Sequence, residues 1–186
     1  VELDEGFFES VDTEKDPDER KNETRKRGRG SQKQSPVMAS TVHHFSSVRK
    51  RKKPTKFRFV RMVVIKNLKK KTIDEVIKHN VDYDSVIKTD NYSSYTGIKE
   101  NVWTHIPEKS DMNGSDKILP WVHTMISNAK RSLLGVHHMV SKKYIQNYLD
   151  EFCYKVNRQY YGEELFDRLL IACVSCQNRN FVNHLR

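Results

Sequence analysis

Two carboxylates stand where acids can do chemistry. Asp4 lies within Val1 to Phe8, a β-branched and aromatic segment that alternates like a strand, with Val1, Leu3 and Phe7 on one side. Asp90 closes a second strand-like run, S-V-I-K-T-D at 85–90. Carboxylates at strand ends are natural oxygen donors for a hard cation such as Mg²⁺. A pair of such ions, roughly 3.5–4 Å apart, activates a hydroxyl or water and stabilises the leaving oxygen of a phosphodiester. Taken alone, the two residues fit equally well a surface acid and an aspartate that opens a turn.

Periodicity shows which elements would have to position these acids. After the strand over 1–8, Pro36 to Phe45 and Lys56 to Lys66 read as strands. The latter carries Phe57 and Phe59 on one face and Arg58 on the other, then runs into a buried V-V-I. Three strands separated by turns suggest an antiparallel meander. Thr72, with Glu75 three residues on, reads as the N-cap and capping box of a helix to about Asn80. Val86 to Thr89, ending at Asp90, is a short strand, and Val102 to Ile106 another; residues 107–117 are polar, with a turn signal at Asn113-Gly114.

The last third is helical. Leu119 to Val136 places Val122, Met125, Ile126, Ala129, Leu133 and Val136 in one apolar stripe. Ser141 caps a second helix to Asn157, with Tyr144, Ile145, Tyr148, Leu149, Phe152 and Val156 on its apolar face. Glu163 to Cys176 is a third, with Leu165, Phe166, Leu169, Leu170 and Cys173 inward. The β-β-β-α-β order matches an RNase H-like α/β fold, a mixed sheet of about five strands flanked by helices. In that order strands one and four are central neighbours, and Asp4 and Asp90 converge.

The chain has 186 residues, the size of one domain spanning 1–186, and a net charge of +10 from 34 Lys and Arg against 24 Asp and Glu. Residues 1–23 hold 10 of the acids and 3 of the bases, so the remaining body carries 31 bases against 14 acids. A body this basic suggests a polyanionic partner, most simply nucleic acid. A membrane surface fits less well, because no long basic amphipathic helix carries the charge. Charge alone is also compatible with a lysine-rich soluble surface. No apolar run approaches the roughly 20 residues of a membrane helix. Three cysteines, an odd number, argue against a disulfide framework and fit a reducing cytosol. Residues 10–34, acids first and then a basic glycine-containing run, have no packed face and are expected to form a disordered insertion.

V-E-L-D-E-G-F-F (1–8), K-T-D-N-Y-S-S-Y (88–95), W-V-H-T-M-I-S-N-A-K-R (121–131), G-V-H-H (135–138) and S-K-K-Y-I-Q-N-Y-L-D-E-F-C-Y-K-V-N-R (141–158) together resemble a DDE transposase of bacterial insertion sequences. The branch is the one related to the eukaryotic Merlin elements (ISXO2-like transposase domain). Its pattern is a V-E-x-D-E start, a T-D-x-x-x-x-Y second acid and a late Y-L-x-E-F-x-x-x-x-N-R helix. The resemblance covers 1–9 and roughly 35–170. It makes Asp4 the first acid and Asp90 the second, and puts the third position on His123, with Lys130 seven residues later. At 100° per residue, seven steps return to nearly the same helix face, so His123, Ser127 and Lys130 form a polar stripe.

The resemblance implies two Mg²⁺ or Mn²⁺ ions held by Asp4, Asp90 and His123. Many DDE enzymes have Glu where this chain has His123; imidazole favours Mn²⁺ relative to Mg²⁺. A histidine there can also act as a general base, or be a helix residue without catalytic work. Lys130, Arg131 and His138 are the implied DNA contacts, and the basic run Arg49, Lys50, Arg51, Lys52 and Lys53 is a candidate phosphate track. The implied activity is metal-dependent DNA cleavage at insertion-sequence ends followed by strand transfer. Its partners are transposon-end and target DNA, with a possible homodimer in the DNA complex, in the bacterial cytoplasm at the nucleoid. The chain begins almost at the first acid, so the family's N-terminal zinc- and DNA-binding segment is expected to be absent, with end recognition missing or supplied elsewhere, which leaves open whether the fragment is active alone. The alternatives are a decayed or domesticated DNA-binding remnant without catalysis and, third, hydrolysis of RNA–DNA hybrid.

Weaker features complete the reading. Cys173-x-x-Cys176 has metal-ligand spacing but no second pair, and Cys173 reads as core. Tyr92 and Tyr95 either stack on a base or pack under the site. His137 sits in a plain or DNA-facing loop, and Glu151 reads as structural.

Overall fold

In the computed structural model of the chain, strand alternation gives β1 (Glu2–Glu9) two different faces. The structure describes residues 1–13, 31, 33–44, 56–90, 92–95, 97–108, 118–137 and 140–175. The remaining strands are β2 (Gln34–His44), β3 (Lys56–Val64), β4 (Val86–Asp90) and β5 (Thr104–Glu108). The helices are α1 (Lys70–Asn80), α2 (Pro120–Val136), α3 (Ile145–Arg158) and α4 (Glu164–Ser175). One mixed sheet runs in the order β3-β2-β1-β4-β5. β1, β2 and β3 form the expected antiparallel meander, while β4 pairs parallel with both β1 and β5. Parallel pairing needs a crossover, which α1 supplies between β3 and β4.

Each face of the sheet has its own core. On one, Leu3, Met38 and Ile87 pack with Ile73 and Ile77 of α1 and with Tyr95, Ile98 and Val102. On the other, Phe8, Val37, Ala39, Val60 and Met62 meet Val122, Met125, Ile126, Ala129 and Leu133 of α2, and Ile145, Leu149 and Cys153 of α3. Burying each of the Val, Leu, Ile, Met and Phe side chains contributes about 1.5–3 kcal/mol. Helix α2 lies close along β1: a Cβ added at Gly6 would sit 2.9 Å from Ile126 Cγ2, so only glycine admits this approach.

β3 is an edge strand, and its outward backbone groups are covered by side chains of α3. Asn157 accepts from the Val60 N–H (2.7 Å) and donates to the Val60 carbonyl (2.8 Å). Gln146, three turns earlier on the same face, accepts from the Val64 N–H (2.8 Å) and donates to the Met62 carbonyl (3.0 Å). Between them, the Cys153 sulfur hydrogen-bonds the Met62 backbone; burial pushes its pKa up to about 11, so it stays a neutral thiol. The helix thus presents donors and acceptors as a sixth strand would, which removes the edge as a pairing template.

Several expectations are corrected. The inward face of β3 is Val60 and Met62, and Phe59 is exposed, because the register to β2 turns the even residues toward α3. Helix α1 begins two residues before Thr72, whose hydroxyl donates to Asn67 Oδ1 (2.9 Å); no side chain caps the helix. Ser141 pairs with Val11 in a parallel bridge rather than capping α3, which starts after a turn at Ile145. Val136 and Tyr144 of the apolar stripes are exposed. Helix α4 buries none of its residues: Phe166, Leu169, Leu170 and Cys173 face outward. The chain turns at Gly162 (φ 56°) after α3, and Arg168 of α4 stacks over Tyr161 (4.0 Å) instead of reaching the core.

Replacing Asn157 with Ala leaves both Val60 backbone groups without their partner. The expected loss is about 1–3 kcal/mol of unfolding free energy, read from urea denaturation. Lys155→Ala, which removes only an exposed helix pair with Glu151, should change it by less than about 0.5 kcal/mol.

Candidate active site

Sheet topology decides which carboxylates meet. Glu2 pairs with Lys88 across the parallel β1–β4 ladder, so two residues further Asp4 is level with Asp90. β4 ends at Asp90, and there a side chain from the other face of β1 joins them: carboxylate oxygens of Asp4, Glu5 and Asp90 all lie within 4.8 Å of one another. The Tyr92 N–H donates to Asp90 Oδ1 (3.2 Å). Tyr95, 1% exposed, donates its phenol proton to Glu5 Oε2 from beneath. Burial, then the Glu5 charge, pushes that phenol's pKa upward, so it remains a donor.

The even-numbered residues of β1 meet α2 in order, as the rungs of a ladder. Glu2, buried, accepts at one carboxylate oxygen from the N–H groups of Trp121 (2.9 Å) and Val122 (3.0 Å), the free donors of the first helical turn. Asp4 Oδ2 lies 2.9 Å from His123 Nε2. Gly6 admits Ile126, and Lys130 Nζ stands 5.6 Å from the centroid of the Phe8 ring. Leu119, immediately before the helix, takes a left-handed backbone (φ 52°), unusual for a branched side chain, and is itself buried.

Electrostatics follow from this packing. The hydrogen bond to Asp4 raises the His123 pKa above 6.5 against a smaller opposing effect of partial burial, and the Asp4, Glu2 and Asp90 charges add to it. Burial raises the Glu2 pKa, while its two helix N–H donors and Lys88 pull it down. His43 Nε2 approaches Glu2 at 3.6 Å; burial lowers its pKa to about 4, so the ring is neutral at physiological pH. Lys88, on the same face as Asp90, forms an ion pair with Glu108 of β5.

The structure brings Asp4 and Asp90 together with Glu5, and His123 against Asp4 alone, with Lys130 and Arg131 farther along the same helix. Arg131 is exposed and donates to Asn128 Oδ1 (2.6 Å). Arg49, Lys50, Arg51, Lys52, Lys53, His138 and Cys176 lie outside the described residues. Tyr95 packs under the site and is not available to stack on a base; Tyr92 is half-buried beside it. Glu151 pairs with Lys155 on the exposed side of α3. Residue-type reasoning missed Glu5 and Glu2. Both stand in the V-E-x-D-E start, and strand alternation alone puts Glu2 on the same face as Asp4.

Three carboxylates this close are the donors a hard divalent cation takes. A five-stranded mixed sheet in this order, with acids on its two central parallel strands and a helix laid across them, is the RNase H-like fold of the DDE transposases. Residues 1–157 match the ISXO2-like transposase domain, and the chain belongs to that family of DNA-transposition proteins, which use divalent metal ions. Comparison with the curated proteins and with the solved structures returns no match. Among the described residues, no helix is long and apolar enough to cross a membrane.

The His123–Asp4 contact sets a signed pH dependence. In the unfolded chain His123 titrates near 6.5, and in the folded chain above it. The pair therefore stabilises the fold fully below pH 6.5 and loses that contribution as pH rises through the folded pKa. In metal-free buffer the unfolding free energy of the unmutated chain should fall across this window relative to that of His123→Gln. Histidine ring NMR shifts supply the folded pKa; a value at or below 6.5 contradicts the contact.

Proposed function

We propose that this chain is the catalytic core of an insertion-sequence transposase that cleaves DNA at element ends and joins the freed 3′-hydroxyl to target DNA. One observation carries the reading: Asp4 and Asp90 stand side by side on two parallel central strands, with the His123 ring against Asp4. Asp4 and Asp90 hold the divalent ions, with His123 as third ligand and Glu5 beside them. When bound, two such ions activate the attacking hydroxyl or water and stabilise the leaving oxygen. To ligate through Nε2, His123 would have to exchange its hydrogen bond with Asp4 for the ion. Tyr95 and the Tyr92 N–H keep Glu5 and Asp90 oriented. Lys130 and Arg131, on successive positions of α2, neutralise phosphates of the bound strand. DNA is the substrate of the basic body, engaged by a homodimer in the bacterial cytoplasm.

A second reading, a DNA-binding remnant without catalysis, draws support from the same contact: the His123 ring already hydrogen-bonds Asp4 with no ion present. Plasmid nicking with Mn²⁺ or Mg²⁺ separates the two. On the catalytic reading Mn²⁺ supports cleavage at lower concentration than Mg²⁺, because imidazole suits it better. His123→Glu narrows that gap. Asp4→Ala and Asp90→Ala fall to background yet still bind DNA, with affinity that weakens steeply as salt rises. Full activity of His123→Ala with both metals removes the histidine from the ligand set, and a chain that binds DNA but never nicks it is the remnant.

A further inference from the structure

Resting on the reading that Asp4, Asp90 and His123 hold a divalent ion, we infer that Glu2 is a positioning residue that clamps the first turn of α2 to β1 and thereby holds His123 at the acids. Glu2 and Asp4 project from the same face of one strand, about 6.6–6.8 Å apart along it. Their targets on α2 are equally consecutive: Glu2 Oε2 takes the N–H groups of Trp121 and Val122, and Asp4 Oδ2 takes the ring of the next residue, His123. Helix and strand are therefore fastened at two adjacent points, one through the helix backbone and one through the side chain that does the work. His123 is more than half exposed and makes its closest polar contact with Asp4, so its own packing does not fix the ring. The backbone that carries it is fixed by Glu2. The buried carboxylate also answers the positive end of the helix at its free N–H groups. Lys88, the Val1 amine and His43 are basic groups that act on it or approach it, and none replaces the two backbone donors.

Reach and charge can be tested separately at this position. Glu2→Gln keeps the length and an oxygen able to accept both N–H groups, but loses the charge. Glu2→Asp keeps the charge and shortens the arm by one carbon–carbon bond, about 1.5 Å, which breaks both hydrogen bonds. The readout is Mn²⁺ affinity of the folded full chain by titration calorimetry, in the unmutated and His123→Ala backgrounds. Glu2→Asp should weaken Mn²⁺ binding about tenfold, as loss of a group that orients a ligand does, while Glu2→Gln stays within about twofold. In the His123→Ala background, Glu2→Asp should cost nothing further, because the ligand it positions is gone. Equal losses in both backgrounds mean that Glu2 does not act through His123 and overturn the inference. So does a Glu2→Gln variant as weak as His123→Ala, a comparison that decides the matter even if the shorter variant does not fold. An unmutated chain that binds no Mn²⁺ refutes the metal-site reading itself, and this inference with it.

Discussion

Two like charges held side by side set the terms for the rest of this molecule. Carboxylates as close as those of Asp4 and Asp90 repel by roughly 1 kcal/mol in water and about 3–4 kcal/mol at the effective dielectric of a protein surface. Free side chains would swing apart. Here the acids sit on neighbouring strands whose ladder is extended on the far side of each, to β2 and to β5, so separating them means opening the centre of the sheet. Local groups then offset the repulsion: the imidazole of His123 at Asp4, the Tyr92 N–H at Asp90 and the Tyr95 phenol at Glu5.

Much of this arrangement was readable from residue order. Strand alternation and the crossover helix imply that β1 and β4 are neighbours, and the family pattern then names Asp4, Asp90 and His123. Glu5 was not readable, because an adjacent residue on a strand ordinarily points to the opposite face. It joins the cluster only because β4 stops at Asp90 and both faces meet at that end. Helix α4 shows the converse failure. Its apolar periodicity is genuine, but periodicity reports which residues share a face and says nothing about whether a core lies opposite. Thr72 and Ser141 looked like caps because cap chemistry is local; their hydroxyls are instead engaged by Asn67 and Thr13, contacts that no window of sequence foretells.

The late helix acquires a physical meaning from the edge strand it covers. In the motif shared with the family, Asn157 is a surrogate strand partner for Val60, and Arg158 stacks on Tyr154 at 3.9 Å. Neither touches the acids. The work of Asn157, with Gln146, is to close β3, so that the sheet holding the acids ends on that side in a helix and not in an open row of backbone donors and acceptors. The conspicuous acid of this motif, Glu151, does less, since it faces solvent with Lys155.

The position of β1 in the sheet also dictates an order of assembly. Its antiparallel partner follows directly in the chain, but its parallel partner lies beyond two strands and a helix, and α2 comes later still. Closing such long loops costs entropy before any contact rewards it, so pairings of this kind form slowly and late. On this ground the meander is expected to pair before the acids are gathered, with the docking that brings Asp4 beside Asp90 coming last. A ligand that binds only the docked state stabilises it by mass action, so an ion held at the proposed site would also act on the final stage of folding.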